Sequence, residues 1–184
     1  SPRMVGGAIW DFVDQSLRAN PAGNGIYKPA PFKGVTQAYG GMFGDRPNQA
    51  NFCDNGIILG NRNTTAKTKE VKKVYQYMAF VRKDGSLTVL NKYFHKPLKG
   101  YALYLVSLAP GGNHAVERMA LPEIAPGKSV TVKLPSAAMQ TGSLMVLADA
   151  RFKLPEDVKE LSAKQLEHVA DECEAYEWFP ATVE

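Results

Sequence analysis

From Lys67 onward the sequence alternates short apolar runs with clusters of turn residues, a pattern that predicts a set of antiparallel strands. Val71 to Val81 is apolar on both faces, with Val74, Met78 and Phe80 on one side and Tyr75, Tyr77, Ala79 and Val81 on the other. A central or covered strand is expected there. Lys83-Asp84-Gly85-Ser86 predicts a hairpin, because Asp-Gly supplies the positive φ that a tight two-residue turn requires. Leu87 to Phe94 follows as the returning strand. Tyr101 to Leu108 is a further apolar strand that ends at the turn Ala109-Pro110-Gly111-Gly112, and Ala115 to Met119 is a weaker one. Val130 to Leu134 alternates strictly, giving one buried and one wet face. Ser143 to Ala150 and Ala175 to Phe179 complete the set.

That makes about seven strands, the number of an immunoglobulin-like β-sandwich. One segment departs from the all-β pattern: between Ser162 and Cys173 the apolar residues Leu166, Val169, Ala170 and Cys173 recur at helical spacing. Ser162 with Gln165 has the form of a capping box, so one short helix is expected near the C-terminus. Upstream of residue 67 the character changes. Asn20 to Gly25 and Pro29-Ala30-Pro31 break any regular element, so residues 1–66 read as a loop-dominated region and 67–184 as the sandwich domain.

Composition adds limits rather than detail. An apolar fraction of 45% against 22% charged is that of an ordered globular chain and argues against disorder. No apolar run approaches the roughly 20 residues needed to span a bilayer. The net charge of +4 comes from scattered Lys and Arg, with Lys67, Lys69, Lys72 and Lys73 the one dense group. A solvated basic edge is expected rather than a nucleic-acid-binding surface. Cys53 and Cys173 match no metal spacing and leave two readings open, buried thiols or a disulfide between the two halves. His95 and His114 at expected turns and His168 on the expected helix are too scattered to form a metal set.

The candidate chemistry lies in the first third. Hydrolysis of a glycoside by the usual route needs two carboxyl groups straddling the bond. Asp11 and Asp14 are at hand, but an odd spacing in an extended segment sends them to opposite faces. Orienting backbone or pairing with nearby basic groups is the expected role of both, and no residue of this chain is assigned as catalytic.

The run Gly6-Gly7-Ala8-Ile9-Trp10-Asp11-Phe12-Val13-Asp14-Gln15, with Tyr39-Gly40-Gly41 to Asn48 and Phe52-Cys53-Asp54-Asn55-Gly56, resembles family 2 glycoside hydrolases of the large bacterial β-galactosidase type. Glu70 to Gln76 and Ala175 to Pro180 resemble the beginning and final strand of the immunoglobulin-like domain that follows the catalytic barrel in that family. The resemblance implies that residues 1–66 are the C-terminal remnant of a (β/α)8 barrel whose acid/base and nucleophilic glutamates lie in preceding segments. Only Ser1 to Val5 precede the first run, so the chain reads as a piece of a larger enzyme, inactive alone.

By the same resemblance Trp10 helps form the galactosyl pocket, where an indole face matches the C–H face of a pyranose. The Phe52 main-chain carbonyl and the Asn55 amide oxygen would serve as ligands of a sodium ion, although Asn55-Gly56 is also a strong turn former. Sodium and magnesium are implied for the intact enzyme, and neither is expected to be retained by this chain. The implied partners are a β-galactoside, the rest of the parent polypeptide and, through exposed barrel strands, a second copy of the chain; no nucleic acid or membrane is implied. Met42, Thr64-Thr65-Ala66 and a long stretch from Arg18 to Val35 depart from the family pattern. A rival reading is a free-standing carbohydrate-binding module, for which Tyr75, Tyr77, Tyr101 and Tyr104 would have to form an exposed aromatic platform.

Overall fold

The computed structural model describes residues 5–18, 37–140, 142–150, 154–155 and 158–181. Asn20 to Gly25, Pro29 to Pro31 and almost all of the stretch from Arg18 to Val35 therefore lie outside the described residues. The chain is mainly β and divides into two compact units, Ser1–Lys72 and Lys73–Glu184.

In the first unit β1 (Leu17–Arg18) pairs antiparallel with β2 (Gln37–Ala38), and a 3-10 turn covers Ala50–Cys53. Among its described residues Ala38 is the one fully buried apolar side chain. Backbone hydrogen bonds rather than an apolar core therefore hold the described part of this unit. Helix α1 (Ala66–Tyr75) runs across the sequence division between the units and buries none of its side chains.

This helix corrects the expectation of a strand from Val71 to Val81. The strand, β3, covers only Met78–Lys83. Val71, Val74 and Tyr75 stand at the i, i+3, i+4 spacing of a helix face, and Ala66, Lys67, Lys69 and Glu70 are good helix formers. Nor is β3 central. It is the edge of a three-stranded sheet ordered β3, β4 (Ser86–Asn91), β7 (Ser129–Lys133), and Val81 on its outer face is exposed. The expected hairpin forms, with Lys83 paired to Ser86 and both Asp84 (φ 48°) and Gly85 (φ 69°) in the left-handed region.

A five-stranded antiparallel sheet makes up the rest of the second unit. Its strands are β5 (Ala102–Leu108), β6 (Asn113–Ala120), β8 (Ser143–Asp149), β9 (Glu160–Ser162) and β10 (Ala175–Phe179), in the order β10-β8-β5-β6-β9. His114 thus lies on strand β6 and not in a turn. The continuous apolar run of β5 is explained by burial on both faces. Leu103 and Leu105 enter a core shared with Met78, Phe80, Leu87 and Val89 of the smaller sheet, while Ala102, Tyr104 and Val106 enter a second cluster.

That second cluster is closed by α3 (Ala163–Glu172), which buries Leu166 and Val169. Its capping box forms as expected, with the Ser162 amide donating to Gln165 Oε1 at 2.9 Å and the Gln165 amide donating to Ser162 Oγ at 3.4 Å. The expectation of one helix is too low, however. Besides α1 there is a short α2 (Ser136–Gln140), whose five residues are too few to show a period in the sequence.

Candidate functional site

Within the first unit the two stretches singled out by their motifs lie side by side. The Ile57 amide donates to the Asp11 carbonyl at 3.2 Å and to that of Phe12 at 3.1 Å, and the Ile58 amide donates to Phe12 at 2.9 Å. In return the Asp14 amide donates to the Ile58 carbonyl at 2.9 Å and the Gln15 amide to that of Cys53 at 2.8 Å. Val13 and Ile58 form a parallel bridge. The segment after Trp10 is thereby fixed against the segment after Phe52.

Gly56 is the point of closest approach. Asn55-Gly56 does not act as a turn here: Gly56 is buried, and its amide donates to Asp14 Oδ1 at 2.6 Å. A Cβ at this position would stand 2.3 Å from the Asp14 nitrogen and 2.7 Å from the Val13 carbonyl carbon, so only glycine fits. Lys67 Nζ caps the same point from α1, donating to the Gly56 carbonyl at 2.5 Å. A second glycine pair, Gly40-Gly41, admits Asn48 close to the backbone, and the Gly41 amide donates to Asp45 Oδ1 at 2.9 Å.

Of the two carboxylates Asp14 orients backbone as expected, whereas Asp11 is engaged by a neutral side chain. Asp14 holds the Gly56 amide, and Asp11 Oδ2 accepts from Gln15 Nε2 at 2.6 Å, so the two do not converge on one point. Trp10 is 78% exposed and Phe52 73% exposed, and Asn55 is exposed as well. None of these three side chains is packed into a core of the described residues. Among the described residues no group of three or more His, Cys, Asp or Glu side chains could hold a metal ion. Cys53 and Cys173 are both free thiols, the first half-buried and the second buried.

The second unit holds a cluster that no local pattern announces. Glu174, just before β10, accepts from Tyr93 Oη (2.6 Å) and Lys96 Nζ (2.9 Å) through Oε1, and from Tyr101 Oη (2.8 Å) through Oε2. Lys96 lies over the rings of Tyr93 and Tyr101 at 4.8 and 5.4 Å, and Tyr77 stacks on Tyr93 with centroids 4.5 Å apart and planes within 8°. Burial alone would raise the Glu174 pKa, but the three donors outweigh it and hold the carboxyl below its ordinary value. Burial pushes the Tyr101 hydroxyl up to about 12, and Tyr93 is raised by burial and by the neighbouring carboxylate. The Tyr101 hydroxyl and Glu174 together raise Lys96 against the opposing effect of burial. Of the four tyrosines named for an exposed platform, Tyr101 and Tyr104 are buried, whereas Tyr75 and Tyr77 are exposed.

These shifts fix a pH window. A depressed carboxyl contributes stability above its ordinary value of 4.5 and loses it as pH falls through the lower folded value. Raised tyrosine hydroxyls contribute below their ordinary 10.0 and lose that contribution as pH rises through their folded values. E174Q is therefore expected to lower the thermal midpoint at neutral pH, with the gap to the wild type closing below pH 4.5. Thermal unfolding followed across acidic pH checks this, and a gap independent of pH would show that the carboxylate charge is not what matters.

Comparison with known proteins agrees with these stretches. The family described as "Glycosyl hydrolases family 2, TIM barrel domain" matches residues 1–80. The chain is 39% identical over 103 residues to a protein named β-galactosidase from Priestia megaterium, covering 54% of this chain and 9% of the relative. It is 32% identical over 130 residues to a β-galactosidase of Streptococcus thermophilus, covering 71% and 12%, and 32% identical over 151 residues to one of Oenococcus oeni, covering 78% and 14%. The chain thus spans only 9% to 14% of the length of these curated relatives. With the matched motifs laid side by side by the fold, this chain is similar to family 2 glycoside hydrolases of the bacterial β-galactosidase type.

Proposed function

We propose that this chain is part of a retaining β-galactosidase and supplies one wall of its galactose pocket without supplying the catalytic carboxylates. The observation that carries the reading is the set of backbone hydrogen bonds joining Asp11–Gln15 to Cys53–Ile58, which puts Trp10 and the Phe52–Asn55 stretch on adjoining segments. The parallel sense of the Val13–Ile58 bridge is the pairing a (β/α)8 barrel uses, and supports taking residues 1–66 as part of one. In that setting the exposed indole of Trp10 stacks on the apolar face of the sugar.

The Phe52 carbonyl and the Asn55 amide oxygen would hold a sodium ion. The donor set fits a hard cation in type, being two neutral oxygens, one in the 3-10 turn and one just after it, but it is a part of a cage and needs oxygens from elsewhere. Such an ion would offer a positive charge to a sugar hydroxyl. Magnesium receives no assignment, because no described carboxylate cluster suits it. Asp11 and Asp14 keep structural roles, and the acid/base and nucleophile would come from segments outside this chain. The two sheets of the second unit, sharing one core, would be the immunoglobulin-like sandwich that follows the barrel in sequence. The rival reading of a free-standing binding module draws support from Tyr75 and Tyr77 but not from Tyr101 and Tyr104.

The test has two parts. The isolated chain is expected to give no turnover of an aryl β-galactoside above blank, and clear turnover would refute its incompleteness. In the longer enzyme W10A is expected to lower kcat/KM about fivefold, since a stacking face of this kind is worth about 1 kcal/mol. An unchanged kcat/KM would remove Trp10 from the pocket.

A further inference from the structure

Gly56 has to be a glycine, and that requirement bears on the residue before it. A Cβ there would stand 2.3 Å from the Asp14 nitrogen and 2.7 Å from the Val13 carbonyl carbon. Glycine also has the widest choice of φ and ψ of any residue. Asn55, exposed and directly before Gly56, is therefore joined to the most pliable residue type, and its direction has to be fixed from outside.

Two opposite charges do this. At the amide of Gly56, Asp14 Oδ1 accepts at 2.6 Å and so orients the peptide plane that contains the Asn55 carbonyl. At the oxygen of Gly56, Lys67 Nζ donates at 2.5 Å and orients the next plane. The amide of that second plane belongs to Ile57, and its bond is divided between the carbonyls of Asp11 at 3.2 Å and Phe12 at 3.1 Å. A divided bond defines a direction less well than one short charge-assisted bond. The hydroxyls of Thr65 and Thr68 donate to the following carbonyl, that of Ile57, at 3.4 and 3.3 Å, so the start of α1 holds two successive carbonyls. All of these residues belong to the first unit.

The Lys67 bond acts on geometry more than on stability. Ordering a long side chain costs rotamer entropy, which a partly solvated hydrogen bond does little more than offset. What remains is a fixed plane for the Gly56–Ile57 peptide. We propose that Lys67 is a positioning residue for Asn55, that it acts through Gly56, and that by setting the direction of the Asn55 amide oxygen it strengthens binding of the glycoside. This role rests on the reading of Phe52 and Asn55 as pocket residues, and it needs no contact of Lys67 with sugar or ion.

The experiment is steady-state hydrolysis of an aryl β-galactoside by the longer enzyme carrying K67M, K67R or W10A, together with hydrogen exchange of the peptide covering residues 53–58. K67M keeps the length of the stem and removes the charge. It is expected to raise KM about fivefold while kcat stays within about twofold, because the reacting carboxylates are assigned to segments outside this chain, and to speed exchange over 53–58. K67R is expected to restore both. An unchanged KM in K67M while W10A lowers kcat/KM would overturn the proposal and leave the pocket reading standing. No effect from either variant would remove the pocket reading and the proposal with it. A K67M that loses kcat and thermal midpoint together at constant KM would also overturn it, by making Lys67 a brace for the fold. So would a K67R no better than K67M, because the charge on the Gly56 carbonyl would then not be what matters.

Discussion

In G56A, amide protection at Asp14, Gln15, Ile57 and Ile58 is expected to disappear, because the added methyl would stand 2.3 Å from a backbone nitrogen and cannot be relieved by a side-chain rotation. The pairing must open, and with it go five backbone hydrogen bonds and the Gly56–Asp14 contact. Overpacking against rigid backbone costs about 3 kcal/mol or more. The first unit has little buried apolar surface among its described residues to absorb such a loss. Hydrogen exchange measured residue by residue is the direct check. Protection equal to the wild type at all four amides would show that the two segments are held by something else. D14N, in contrast, keeps an oxygen acceptor at the same place and serves as the mild control.

A comparable loss is expected in the second unit from N91L. Asn91 is fully buried, and its side chain makes three hydrogen bonds: Nδ2 donates to the carbonyls of Lys96 (2.9 Å) and Ile124 (3.0 Å), and Oδ1 accepts from the Tyr93 amide (2.9 Å). Leucine nearly preserves the volume but takes the printed partner from the Lys96 carbonyl and the Tyr93 amide, while the Ile124 carbonyl keeps the Leu98 amide. At roughly 1 to 3 kcal/mol for each unsatisfied group, a total of about 4 kcal/mol is expected. For a domain of this size that corresponds to a fall of about 15 °C or more in the melting temperature. Calorimetry decides it, and a fall of only a few degrees would mean that water replaces the lost bonds. Because Asn91 directs the segment that carries Tyr93 and Lys96, the same substitution is expected to loosen the Glu174 cluster.

What could be read in advance, and what could not, follows from the range of the interactions. The Asp84-Gly85 hairpin and the Ser162–Gln165 cap are local and legible, since the residues that make them are two or three positions apart. The backbone-orienting role of Asp14 is among the roles expected of it, whereas the Gln15 side chain on Asp11 is not. Helix α1 was legible but hidden: Val71, Val74 and Tyr75 fit a helical face, yet the β-branched residues and the apolar run beyond them favour a strand. Its lack of buried side chains means that no core periodicity marked it. The Glu174 cluster joins residues 73 to 81 positions apart, and nothing near Glu174 in sequence distinguishes it from any surface glutamate. Gly56 was read as a turn residue because the backbone that excludes a side chain there arrives from 42 positions away.

The register Leu17–Ala38 and Arg18–Gln37 pins the chain just after the Trp10 run to a second, separate stretch of sequence. Residues 11–15 are held by 53–58 and residues 17–18 by 37–38, so the segment that follows Trp10 is tied at both of its ends to parts of the chain far away in sequence.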